Sequence, residues 1–441
     1  SFPTRRSSDL LLINFDYMKN NIFLLIAASI FILSFSSCDD LLDVTPKDKI
    51  TPETFFSTEA DLQAFSTNFY NSLPKDRDLY KDDADNITHS TPNSAATDSR
   101  TVPASGGGWE WGYLRRFNTL LQYSVNCKDK TVRTRYQALT RFFRAYFYFE
   151  MVKRFGDIPW YDTELFVSET DQLNKPRDSR ELVMKNILED LDFAITNLST
   201  TPSVYTVTKW TVLSLKSRVC LFEGTFRKYH NLNLSTNADF FLQESITASR
   251  ELMKESNYTL YTEGGTNQAY RKLFTSQNAP TTEVIMARNY NLTYDIYNTV
   301  GTYHTSVGEG RPGVTRKIIA SYLMNDGSRF TDNPNWETMT FVDECKNRDP
   351  RLAQSICTPS YQPIVSNRKN IPDLNACVTG YQLIKYEDEA VGGKSDIDLF
   401  YFRLAEVYLN YAEALAEINQ LTQDDLDISI NKLREIGRAH V

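Results

Sequence analysis

The chain has 441 residues, with 48 Lys and Arg against 56 Asp and Glu, for a formal net charge of −8. At 41% hydrophobic and 24% charged it can bury a sizeable core, and no long basic run supplies the clustered cations that nucleic-acid binding needs. Four scattered histidines (His89, His230, His304, His440) argue against histidine-based metal or triad chemistry. In contrast, 25 Tyr, 26 Phe and 5 Trp suit tight helix packing and surfaces that stack on planar or sugar-ring ligands.

The opening SFPTRRSSDL and the closing EIGRAHV break the pattern of the chain beside them and resemble translated sequencing-adapter sequence. Residues 1–17 and 435–441 are therefore expected to be non-native, and the native chain to continue past about Leu433. Met18-Lys19-Asn20-Asn21 is a short positive start, followed by an apolar run from Ile22 to Leu33 that is too short to span about 30 Å of hydrocarbon. Small residues then precede Cys38, which resembles a bacterial lipobox with Phe35 where Leu is more usual. Residues 18–37 thus read as a lipoprotein signal peptide, and a lipid on Cys38 would anchor the mature chain. A secretory signal with an incidental cysteine is the alternative.

Helical spacing dominates the mature chain. Thr58 to Leu73 places Leu62, Phe65, Phe69 and Leu73 on one face. Pro74 to Gly108 is polar and ends in three glycines, a long surface loop with a hinge, and such loops are uncommon unless functional. Further helices are expected over Trp111–Asn126 and over Thr131–Phe155, the latter strongly aromatic and stopped by Gly156 and Pro159. Helices are also expected over Ser179–Leu198, Lys209–Lys228 and Ala238–Glu255. Between about 257 and 396 the helical signal lapses into short strand-like runs, and Asp398–Ile418 is again read as helix. Ala145 and Phe149, and the stretch Leu404 to Leu415, resemble tetratricopeptide helices, in which small residues admit bulky ones from a partner helix.

Catalytic and metal motifs are sparse. No G-x-S-x-G, HExxH or phosphate loop occurs. Glu406, Glu413 and Glu417 share helical spacing, but a solvated or inter-helix role outweighs a glycosidase pair. Asp82-Asp83-Ala84-Asp85-Asn86 lacks EF-hand spacing and reads as a solvated loop. Cys127, Cys220, Cys345, Cys357 and Cys377 match no zinc pattern. Cys220 is read as buried packing, and one disulfide among the last three stays open. Neither a cofactor nor a metal site is expected.

Several blocks, in order, resemble the SusD/RagB family of outer-membrane nutrient-binding lipoproteins of Bacteroidetes-type bacteria. They are Ser37-Cys38-Asp39-Asp40-Leu41-Leu42; Arg144-Ala145-Tyr146-Phe147-Tyr148-Phe149 leading to Phe155-Gly156-Asp157-Ile158-Pro159; Pro176-Arg177-Asp178-Ser179 before Ile187-Leu188-Glu189-Asp190-Leu191; Arg348-Asp349-Pro350-Arg351-Leu352; and Asp398-Leu399-Phe400-Tyr401-Phe402-Arg403-Leu404-Ala405-Glu406. The resemblance implies a mainly α fold of irregular tetratricopeptide-like repeats (about 58–255 and 398–433) within a domain of 38–433, with long ligand-binding loops and short strands inserted at about 257–396. It further implies a cell-surface protein, lipid-anchored in the outer membrane. Such a protein captures oligosaccharide without catalysis and passes it to a TonB-dependent, SusC-like transporter.

The family's binding residues vary with ligand, so candidates come from the residues themselves. Trp336 lies in a polar, turn-rich stretch with little helical reason to be there and is the leading candidate. Trp109 borders the glycine run, and Trp111 is expected to open a scaffold helix. Tyr297 and Tyr303 lie with Tyr290 and Tyr294 in one inserted segment, where packing accounts for most of them; Asn93 and Arg100 in the long loop could bond hydroxyls. Two alternatives remain open: peptide uptake, with acidic aromatic loops serving cationic peptides, and a surface glycoside hydrolase.

Overall fold

In the computed structural model, which describes residues 52, 55–79, 86–94, 97–362, 372–387 and 393–437, helices form where the apolar spacing places them. The chain divides into Ser1–Phe55 and Phe56–Val441, and its described helices and strands belong to the second unit. The signal segment, Cys38 and residues 82–85 of the acidic loop lie outside the described residues. Helix α1 (Glu59–Thr67) opens on a reciprocal Thr58–Asp61 capping box and tightens into a 3-10 turn at Asn68–Ser72. Helix α2 (Gly112–Tyr123) leads into α3 (Lys130–Phe155), whose first amides are capped by the Asp129 carboxylate. Gly156 ends α3 at φ 71°, a left-handed conformation that favours glycine. Helices α4 (Arg180–Asn197), α5 (Lys209–Tyr229) and α6 (Ala238–Glu255) come next, and α7 (Leu404–Glu417) returns after the insertion.

The helices pack as successive neighbours, α5 with α6 most extensively and α3 with α4 next. Helix α3 is contacted by α1, α2 and α4, which explains its unusual composition: Phe142, Phe143, Ala145, Tyr148 and Phe149 are all buried. Small residues set the α5–α6 approach. A Cβ on Gly224 would stand 2.7 Å from Leu242 Cγ and 3.1 Å from the Ala238 carbonyl, so the seam closes only on glycine. The small-to-bulky reading of Ala145 and Phe149 and of the Leu404–Leu415 stretch agrees with this mainly α, tetratricopeptide-like arrangement.

Charged bridges cross nearly every seam. Arg144 holds Asp190 through Nε and Nη2 at 2.7 and 2.8 Å, joining α3 to α4. Glu223, fully buried on α5, accepts from Arg180 of α4 and from Arg227, which in turn pairs with Glu181 at 2.8 Å. Lys216 reaches both Asp192 (2.7 Å) and Glu244 (2.6 Å), spanning α4, α5 and α6. Arg218 grips Glu406 at 2.6 and 2.7 Å, and Lys228 meets Glu417 at 2.8 Å, tying α5 to α7. Glu406 and Glu417 therefore have the inter-helix role that their spacing allowed.

Among the described residues, two short antiparallel pairs complete the fold: β1 (Ile87–Thr88) with β3 (Gly313–Val314), and β2 (Val284–Arg288) with β4 (Leu399–Arg403). Strand β4 corrects the expectation that helix runs from Asp398. The aromatic run Leu399–Arg403 is drawn into the sheet by β2, and the helix starts only at Leu404. Asp398 is the pin. Its buried carboxylate accepts from Tyr205 Oη (2.6 Å), Ala279 N (2.9 Å), Tyr290 N and Asn289 Nδ2 (both 3.1 Å), and burial pushes its pKa up despite these bonds. The insertion also differs from expectation, because short helices such as Ala269–Thr275, Val300–Thr305 and Arg316–Ser321 outnumber its strands. The long loop likewise contains a 3-10 turn at Asp76–Leu79 as well as β1.

None of Cys127, Cys220, Cys345, Cys357 and Cys377 is in a disulfide, so no pair forms among the last three. Burial raises the thiols of Cys220, Cys345 and Cys357, the last two to about 11 and about 12, which makes them packing groups and not nucleophiles.

Candidate functional site

The Trp336 neighbourhood is built from the inside outward. Arg348 is buried and donates to the carbonyls of Glu344 (2.8 Å), Ile319 (2.6 Å) and Tyr322 (2.7 Å), tying its own segment to the Arg316–Ser321 helix. Its guanidinium lies 3.9 Å from the centre of the Phe330 ring, and Phe330 meets Trp336 edge-on at 6.1 Å. Arg316 holds Trp336 from the other direction. It donates to the Trp336 carbonyl (2.9 Å) and the Glu337 carbonyl (2.8 Å), pairs with the buried Glu344 carboxylate, and stands 5.4 Å from the indole centroid. Tyr381 donates to the second Glu344 oxygen at 2.6 Å, and burial with that bond raises its pKa, so the phenol stays protonated.

Trp336 is thus a half-buried ring on a 3-10 turn (Trp336–Thr338), held at its backbone and open on one side. It walls a cavity of about 540 Å³ with Arg316, Lys317, Ala320, Ser321, Leu323, Arg329 and Thr331. An aromatic face beside guanidinium, ammonium and hydroxyl donors can cover a sugar ring and bond its substituents.

Trp109 lies elsewhere. It lines a second cavity, of about 650 Å³, with Trp111, Asn118, Tyr161, Phe166 and Arg177 among its walls, and shares no lining residue with the first. Trp109 packs edge-on against Trp111 (5.1 Å) and Phe155 (4.9 Å). Trp111 occupies the N-cap of α2, the helix-opening position expected for it. The basic groups here are engaged: Arg115 with Glu164, Lys175 with Asp178 and the Trp160 carbonyl, and Arg177 with the carbonyls of Phe155 and Asp157.

The β1–β3 pairing docks the long loop on the insertion and creates a third neighbourhood. Tyr303 Oη meets His89 Nδ1 at 2.9 Å, and the Arg77 guanidinium lies 5.4 Å from the Tyr303 ring. Arg77 also donates to Thr299 Oγ1 at 2.8 Å and pairs with Glu309. Burial drops the pKa of the adjacent His304 to about 4, so it is neutral at pH 7. Asn93 lies in the same loop, where its carbonyl accepts from Thr97, and Arg100 is exposed. Tyr297 is partly exposed beneath the Lys394 ammonium, 4.2 Å from its ring. Tyr290 is buried and Tyr294 exposed. The six candidate residues therefore do not converge on one cavity. Sequence reasoning missed Arg316, Lys317 and Arg329, for no local pattern ties them to a tryptophan further along the chain. Among the described residues, no three His, Cys, Asp or Glu side chains gather as a metal site, and no helix is long and apolar enough to cross a membrane.

Comparison with known proteins identifies the architecture. Residues 272–440 match the model of the SusD family, and residues 49–214 match a SusD-like model described as starch-binding associating with outer membrane. A SusD-like protein of Formosa agariphila is 24% identical over 428 residues, covering 91% of this chain and 78% of that one. A solved SusD-like protein of Bacteroides fragilis superposes with a TM-score of 0.72 at 23% identity, covering 89% of this chain and 81% of that one. A SusD-like carbohydrate binding protein of the same species gives 0.69 at 20%, covering 88% and 80%. The chain belongs to the SusD family.

Proposed function

We propose that this protein is a non-catalytic glycan-binding lipoprotein of the outer-membrane surface, which captures oligosaccharide and delivers it to a TonB-dependent, SusC-like transporter. The observation that carries the binding role is the Trp336 cavity: an aromatic ring fixed by Arg316 and Phe330, surrounded by hydrogen-bond donors, on the inserted half and away from the helical repeats. The starch-binding description of the matching model and the carbohydrate-binding relative support the same reading. Against catalysis stands the engagement of Glu406 and Glu417 in inter-helix bridges. A cationic peptide is disfavoured because the charged residues lining the Trp336 cavity are basic.

Two measurements test this. Incubation of the chain with oligosaccharides, followed by chromatography, should show retention with no change in chain length; shortening of the glycan at turnover greater than one would make the protein a hydrolase. For the delivery role, gentle extraction of membranes carrying the chain should recover a large β-barrel protein in near-equal amount. Cys38→Ala should release the chain from the membrane fraction. Extraction without a barrel partner, or a Cys38→Ala variant held as tightly as the parent, would overturn the anchored-delivery mechanism.

A further inference from the structure

We propose that the Trp336 cavity selects an anionic glycan, one bearing carboxylate or sulfate groups, through Arg329 and the cationic lining around the indole. This rests on the glycan-binding reading and names the class of ligand within it.

A donor and acceptor inventory points to that class. A neutral sugar hydroxyl both donates and accepts, so sites for neutral glycans need acceptors as well as donors. Among the described residues, the polar side chains lining this cavity are Arg316, Lys317, Arg329, Ser321 and Thr331, and none is a carboxylate or amide. The two hydroxyls can accept as well as donate, but the three cationic groups can only donate and carry the charge of the wall, which matches an acceptor-rich carboxylate or sulfate ester. The Glu344 carboxylate behind Arg316 is only 2% exposed and already receives both Arg316 and Tyr381, so it presents no acceptor to a ligand. Asp332 and Glu337 flank Trp336 in the chain but do not line the cavity.

Arg329 is the decisive group. Its side chain is exposed at the cavity wall and makes no hydrogen bond or ion pair among the described residues. Most other arginines of the insertion are engaged, Arg311 with the Leu374 carbonyl, Arg348 with three carbonyls and Arg351 with Asp349. The chain as a whole carries −8, so its overall field repels polyanions, and any preference for them has to arise locally.

The test is calorimetry on the full chain with two matched probe pairs. The first is an oligogalacturonate against its carboxyl-reduced form; the second is a sulfated galactan oligosaccharide against its desulfated form. At least one charged member should bind about tenfold or more tightly than its neutral partner, as expected for charge-assisted hydrogen bonds. The pair that shows it tells uronate from sulfate ester. Arg329→Gln should remove most of that ratio, and raised salt should reduce it. Equal binding of charged and neutral forms, with Trp336→Ala weakening both, would overturn the anionic selectivity and leave the glycan reading standing. A preference that survives Arg329→Gln would overturn the role of Arg329. Binding of no probe, or binding indifferent to Trp336→Ala, would overturn the site itself.

Discussion

Replacing Trp336 with Ala should weaken oligosaccharide binding roughly ten- to hundredfold, because a stacked aromatic face is worth about 1–3 kcal/mol in comparable base-stacking sites. The loss should be one of contact. Trp336 is anchored through its carbonyl to Arg316 and through its ring edge to Phe330, and both neighbours keep other supports: Glu344 for Arg316 and Arg348 for Phe330. Trp336→Phe, which retains a flat ring, should recover part of the affinity. Calorimetry together with far-ultraviolet circular dichroism checks this. Unchanged affinity would move the site to the Trp109 cavity or to the Tyr303 face, and a lost helical signal would show that Trp336 serves packing.

The largest stability effect is expected on the scaffold. Glu223→Ala should cost about 3–5 kcal/mol, because it removes the carboxylate shared by two buried guanidinium groups, leaving Arg180 without its ion pair and Arg227 with Glu181 alone. Their side chains are 8% and 1% exposed, so water cannot replace the lost partner. Arg227 Nη2 already has no hydrogen-bond partner, which leaves the network no spare acceptor. The exposed pair Lys185–Glu189 on the same helix α4 provides the contrast. At 70% and 60% exposure, its removal by Glu189→Ala should cost less than about 0.5 kcal/mol. Guanidinium unfolding of the two variants measures the difference. Similar midpoints would mean that the buried network contributes little and that apolar packing alone holds the α4–α5 seam.

The motif Arg348-Asp349-Pro350-Arg351-Leu352 shows how a legible pattern conceals its purpose. As a string it marked the family. In the structure Asp349 caps a short helix with Pro350 at its first turn, while Arg348 ties its own segment to the Arg316–Ser321 helix and lies against Phe330, which meets Trp336. Similarly, Arg144 read as part of an aromatic helix, and its role as the bidentate partner of Asp190 appears only once α3 and α4 are packed.

By itself the sequence determined the scaffold helices, their stops and the family, since these depend on contacts within a few residues: apolar spacing on one face, Ser179 at a helix start, Gly156 at a stop. It also singled out Trp336, because a large aromatic ring in a turn-rich polar stretch stands out locally. Only the tertiary structure decided that Leu399–Arg403 is a strand, for that depends on β2 and on the Asp398 bond to Ala279, 119 residues away. It alone placed Trp109 and Trp336 in separate cavities and set Arg316, Lys317 and Arg329 around one indole. Helix periodicity is written in neighbouring residues, whereas a cavity is assembled from segments that the fold brings together, and their shared charge becomes visible only there.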